Sequence, residues 1–259
     1  MDSGLRRNDE FPGKHAGLRR RRKARPSTSG KIPPMNETDS IIQTITVYLI
    51  PVLFAISLHE AAHGYVARYF GDPTAADLGR LTANPLKHID PFGTILLPLV
   101  LSLVGLPALG YAKPVPVDFG RLRNPKKQMA FVAAAGPAAN FAMGLGWTIL
   151  WVVLIQVFGF DGDDFFVKMA QAGWAVNSAM CVFNLIPVPP LDGGRIVTGL
   201  LPMSLARPYA RIERYGVYIF IALILMMQFG LLTGFLVRGM HLVQSIWHLL
   251  VLPLQLLFS

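Results

Sequence analysis

The chain has 259 residues, of which 53% are hydrophobic and only 15% charged. That balance excludes an ordinary soluble enzyme and predicts an all-α polytopic membrane protein. A single cysteine, Cys181, excludes an intramolecular disulfide. The formal charge of +9 does not mark a nucleic-acid binder, because residues 1–34 hold ten Lys/Arg against Asp2, Asp9 and Glu10 and leave only +2 for all the rest.

In chain order, residues 1–34 are a basic tail rich in Gly, Pro and Ser, without hydrophobic periodicity, and are expected to be disordered. Composition changes abruptly at "PPMNETDS". Translation is therefore expected to begin at Met35, with 1–34 either untranslated or a dispensable extension and 35–259 a single membrane-embedded domain. The tail lacks the order of features of a signal peptide, since its basic run is followed by polar residues.

Apolar segments follow at 41–69, 92–110, 128–158, 169–187, 209–229 and 231–257. A bilayer core of about 30 Å needs ~20 helical residues. The first, third, fifth and sixth segments reach that length easily, whereas 92–110 and 169–187 are borderline. About five to six transmembrane helices are predicted.

Lys and Arg concentrate on the cytoplasmic side of membrane proteins. Lys113, Arg121, Arg123, Lys126 and Lys127 place the 111–127 loop there, and Arg195, Arg207, Arg211 and Arg214 do the same for 188–214. Helix 41–69 then runs inward, 128–158 outward and 169–187 inward. For this to close, segment 92–110 must leave by the face it entered, and its Pro98, Gly105 and Pro107 suit a re-entrant turn.

The first apolar helix contains "SLHEAAHGY". His59 and His63 lie four residues apart, on one helix face one turn apart, where both can bind one Zn²⁺ ion. Glu60 is placed to act as general base toward a water at that ion. Two imidazoles and a carboxylate in an apolar span are expensive without partners, and a metal satisfies both rings.

A hydrolytic zinc site needs a third protein ligand. The candidates are Asp77, His88, Asp90, Asp192, Glu213, His241 and His248. His88 and Asp90 suit a solvated loop, and His241 and His248, seven apart with no acidic neighbour, suit a membrane interface. Asp192 stands out in "NLIPVPPLDGGR", where prolines end the fourth segment and two glycines free the backbone. A carboxylate there needs a partner, and in the topology above it lies at the same end of the bundle as His59 and His63.

HEAAH in one membrane helix and NLIPVPPLDGG near the end of a later one resemble the site-2 protease family of intramembrane zinc metalloproteases. "GPAAN", "GRLTANPLKHIDPFGTILLP" and "GYAKPVPV" are similar to its small bacterial branch. Larger relatives carry a PDZ or nucleotide-sensing domain, and no stretch of this sequence is long enough for either. The resemblance implies that His59, His63 and Asp192 bind one zinc and that Glu60 activates water. It implies that Asn140 and Asn184 hold the substrate backbone or polarise its carbonyl, although both also suit helix–helix hydrogen bonds. The implied partners are the lipid bilayer and a transmembrane protein substrate, with no nucleic acid. The implied location is the bacterial inner membrane, with the site near the cytoplasmic side.

Two other readings remain at this stage. A membrane zinc protease acting on soluble peptides would take a late glutamate, Glu213, as third ligand. A non-catalytic zinc-binding membrane protein or scaffold would leave Glu60 a structural residue.

Overall fold

The computed structural model describes residues 37–258, apart from 83, 85–89, 91–92, 94–95, 97–99 and 101–113. All regular structure among the described residues is helical. The main elements are α1 (Glu37–Tyr69), the short α2 (Thr74–Asp77), α3 (Pro125–Gln156), α4 (Phe165–Asn184), α5 (Asp192–Leu200), α6 (Met203–Ala210), α7 (Gly216–Gln228) and α8 (Thr233–Leu257). A 3₁₀ turn (Phe119–Arg121) precedes α3 and another (Arg211–Tyr215) precedes α7.

Within α1, α3 and α8, the stretches Ile42–Tyr69, Pro125–Gln156 and Thr233–Leu257 are long and apolar enough to cross a membrane. Helix α4, with 20 residues, also reaches about 30 Å but carries more polar side chains. The expected span at 209–229 is divided. Its first third is the end of α6 and a 3₁₀ turn bearing Arg211, Glu213 and Arg214, and only 13 residues continue as α7. Those 13 cover about 20 Å, less than the bilayer core.

Helix α3 is the hub, with α1, α4, α5 and α8 all packed against it. Lipid offers no hydrophobic drive for helices to associate, so the contacts depend on close fit, and small residues provide it. Trp147 of α3 lies where a Cβ on Gly173 of α4 would be. Trp247 of α8 is fully buried and fills the equivalent notch over Gly144 of α3. Gln244, one turn earlier, donates to Ser178 of α4 at 2.9 Å. The last segment, read from sequence as a span without a function, is thus anchored to the hub by one indole and to α4 by one amide.

The two ends of the 70–124 connection lie side by side. The Arg123 N–H donates to the Phe70 carbonyl at 3.1 Å, and the Arg123 guanidinium to the Tyr69 carbonyl. Buried Asp72 accepts from the Asp118 N–H at 2.7 Å, from the Thr74 N–H at 3.0 Å and from the Thr74 hydroxyl. The chain therefore returns to the end of α1 that it left and makes no net crossing. Segment 92–110, expected to be re-entrant, lies almost wholly outside the described residues.

Burial works against the charge on Asp72, but its hydrogen bonds from Thr74 and Asp118, with Arg121 nearby, outweigh it and hold the carboxyl below its ordinary pKa. A group depressed in this way stabilises the fold above its unfolded pKa, and that stability is lost as the pH falls through the lowered folded value.

The Trp247 notch is directly testable. Gly144→Ala overpacks a rigid ring and should destabilise the detergent-solubilised protein by about 1–3 kcal/mol. Its thermal midpoint should fall, and Gly144→Ala combined with Trp247→Leu should recover part of the loss. Additive losses in the double variant would contradict the contact.

Candidate metal centre

Helix α1 presents His59 and His63 toward α3, and both are buried, at 5% and 9% exposure. Each ring is held through Nδ1. His59 Nδ1–H donates to Asn140 Oδ1 at 2.6 Å, and His63 Nδ1–H to the Val132 carbonyl at 2.7 Å. Both acceptors belong to α3. Because these bonds use the Nδ1 protons, both Nε2 atoms are left as bare lone pairs.

Asp192 completes the cluster from the first turn of α5. Its Oδ2 lies 3.1 Å from His59 Nε2 and 3.4 Å from His63 Nε2, and the two Nε2 atoms are 3.2 Å apart. Asp192 Oδ2 is buried with no hydrogen-bond donor aimed at it. Three acceptors converge here on one point. That arrangement is repulsive in an apolar bundle unless a cation sits between them.

The spacing fits zinc. A tetrahedral ion with bonds of 2.0–2.1 Å separates neighbouring ligand atoms by about 3.3–3.4 Å, close to the three distances in the structure. Two imidazoles and one carboxylate are also a donor set that zinc accepts, leaving a fourth position open. Among the described residues, His59, His63 and Asp192 are the group of metal-ligand side chains that comes together.

Glycines make the convergence possible. A Cβ on Gly136 of α3 would stand 2.5 Å from His59 Cε1 and from His63 Nε2, so the hub can approach the imidazoles only because that position has no side chain. Next to it, Pro137 lacks the N–H that would bind the Ala133 carbonyl, which loosens α3 one residue beyond the Val132 carbonyl that His63 uses. In α5, Cβ atoms on Gly193 and Gly194 would collide with the 185–189 backbone. The DGG sequence thus lets the opening turn of α5 lie flat on the proline-rich loop, aiming Asp192 back at α1.

Glu60 follows His59 and therefore leaves α1 about 100° further round the helix. Its Oε2 accepts the Val115 N–H at 2.9 Å. Val115 belongs to the irregular stretch 114–118, which is packed on α1 so closely that a Cβ on Gly64 would meet the Val115 side chain at 2.9 Å. Pro114 and Pro116 lack N–H groups, so the bond to Glu60 comes from a segment with few donors.

The other candidates are employed elsewhere. Glu213, in the exposed 3₁₀ turn before α7, pairs with Arg195 of α5 at 2.5 Å and lies outside the cluster. His248 lines a cavity of about 140 Å³ between α3 and α8 with Gln156 and Gln255. Asp77, Asp90 and His241 lie outside the cluster, and His88 is outside the described residues. Asn184, half-buried at the end of α4, donates to the Met180 carbonyl at 3.0 Å.

Asn140, expected either to hold or polarise substrate or to make a helix–helix hydrogen bond, is completely buried, and its Oδ1 accepts from His59. Its Nδ2 donates to the Ala55 carbonyl at 3.2 Å and to Asn177 Oδ1 at 3.1 Å. These bonds tie α3 to α1 and α4 and hold the acceptor of the His59 ring. Asn177 escaped sequence reasoning, and its only signal there was an amide in the interior of an apolar helix.

Residues 163–227 match Peptidase family M50. "Putative zinc metalloprotease YwhC" of Bacillus subtilis is 38% identical over 184 residues, which cover 68% of this chain and 78% of that protein. The chain belongs to Peptidase family M50. This M50 member is also 31% identical over 175 residues to "Putative zinc metalloprotease Rip2" of Mycolicibacterium smegmatis, and 26% identical over 174 residues to that of Mycobacterium tuberculosis H37Rv. Each alignment covers 67% of this chain and 64% of the Rip2 protein. No solved structure matches the chain. Family membership, the His–His–Asp cluster and the apolar helices together identify an integral-membrane zinc metalloprotease of the site-2 protease type.

Gly136→Ala should abolish zinc retention, because the added methyl displaces both imidazoles, while Gly146→Ala, at an open position on the same helix, should leave it intact. Metal analysis of the purified variants measures this. Full retention by Gly136→Ala would contradict the close approach.

Proposed function

We propose that this chain is an endopeptidase that hydrolyses peptide bonds in or near transmembrane segments of membrane proteins. In this reading, residues 35–259 act as one membrane-embedded unit in a bacterial inner membrane, and the site opens toward the cytoplasm. The observation that carries it is depth. His63 lies six residues before the end of α1, about 9 Å below that end, and His59 one turn deeper, in a helix apolar enough to span the bilayer.

His59, His63 and Asp192 would hold the ion. Zinc bound there supplies Lewis acidity, which polarises a peptide carbonyl and brings the pKa of water down to about 7. Glu60 is the general base. Its Oε2 is engaged by Val115, which orients the carboxylate and leaves Oε1 to take a proton from the attacking water and pass it to the departing amine. Asn184, at the end of α4 and across the proline-rich loop from Asp192, is a candidate for contact with the substrate backbone. Burial by the helices around the cluster limits water to what reaches the cytoplasmic end. A helical substrate has its peptide groups paired internally and must unwind before it can be attacked, so helix-breaking residues near the cleavage point should favour cleavage.

The test is cleavage of a model transmembrane substrate by the purified full chain in bilayer. Glu60→Gln should cut the rate by about 10²–10⁴-fold while retaining zinc, and Asp192→Ala should lose both zinc and activity. Undiminished turnover by Glu60→Gln would sink the mechanism. Cleavage of soluble peptides with no cleavage of membrane segments would overturn the substrate assignment.

A further inference from the structure

The hydrogen bonds behind His59 form a chain with a defined direction. It ends on the Gly173 carbonyl of α4, which can only accept. Asn177 Nδ2 donates to that carbonyl at 2.8 Å, which turns Asn177 Oδ1 toward α3. Asn140 Nδ2 must then donate to it, at 3.1 Å, as it also does to the Ala55 carbonyl. Asn140 Oδ1 is thereby aimed at His59 and takes its Nδ1 proton at 2.6 Å. Asn140 and Asn177 are both fully buried, so water cannot substitute for any of these partners.

We propose that Asn177 is a positioning residue of the metal centre. Through Asn140 it keeps the His59 proton on Nδ1 and the Nε2 lone pair directed at Asp192 and His63. The proposal rests on the metal-site reading above. It extends the centre from α1 across α3 to α4, so that three helices must be docked before His59 has the right tautomer. A partner behind a metal-binding imidazole fixes both the ring and its tautomer, and losing one lowers metal affinity by about 10–100-fold.

The relay defines what each substitution at 177 should do. Leucine has the branching and heavy-atom count of asparagine but no acceptor, so one Asn140 N–H is buried unpaired and the Asn140 amide is held on that side by the Ala55 carbonyl alone. Aspartic acid in this uncharged, fully buried position is kept neutral by burial. It then donates O–H to the Gly173 carbonyl and accepts from Asn140, reproducing the relay. Ser178 is a control within the same helix. It is equally buried, and its bond to Gln244 is of the same length class, but it stands outside the relay.

The experiment is zinc affinity of the full-length protein in detergent, by competition against a chromophoric chelator, with near-ultraviolet circular dichroism to compare packing. Asn177→Leu should bind zinc about 10–100-fold more weakly, Asn177→Asp should recover most of that loss, and Ser178→Ala should bind as the parent does. Where the leucine variant does not fold, Asn177→Ala carries the same expectation. Unchanged affinity in both Asn177→Leu and Asn177→Ala, or an equal loss in Ser178→Ala, would overturn the positioning role. His59→Ala serves as the separate check. Zinc binding that survives it would overturn the metal-site reading itself.

Discussion

Two imidazoles and a carboxylate oxygen meet within 3.4 Å of one another inside an apolar helical bundle, and the rest of the structure is arranged around that convergence. Bare acceptors repel one another, and an apolar bundle does little to screen them. The bundle therefore has to hold them together by packing until a cation does so. This explains why α3, the helix facing them, is notched at Gly136, and why α5 can open on Asp192 only above two glycines.

The polar groups buried in the bundle serve the same end. Each imidazole has one donor to dispose of, and α3 takes both, one on a side-chain amide and one on a backbone carbonyl. This arrangement couples site geometry to helix docking. A shift of α3 along α1 would break both bonds together. Helix α8 is seated separately, with Trp247 against α3 and Gln244 against α4. The clasp of Asp72, Asp118 and Arg123 does similar work at the membrane end, setting the 114–118 stretch against Glu60.

Much of the site was legible in the sequence because helical periodicity alone puts His59 and His63 on one face, and because an unpartnered Asp192 among prolines and glycines calls for a ligand. What was not legible depends on orientation. Sequence marks Asn140 as a polar residue in an apolar helix but does not tell which way its amide points, so substrate contact and helix–helix hydrogen bonding look alike there and support of a ligand ring goes unseen. The Val132 carbonyl is backbone and leaves no trace in residue identity. Asn177 has no spacing signature, since its partners lie on other helices and in its own preceding turn. In the fold, hydropathy merged 209–229 into one span because it averages over a charged 3₁₀ turn that the backbone treats as a boundary. The same averaging could not foresee that a tryptophan would seat the last helix in a glycine notch.

The central claim is that His59, His63 and Asp192 share one zinc ion. Zinc-edge X-ray absorption on the purified full-length protein tests it most directly. The account predicts two imidazole nitrogens with additional oxygen scattering, all at about 2.0–2.2 Å, and no sulfur. A shell containing sulfur at about 2.3 Å, or an all-oxygen shell without imidazole, would contradict it.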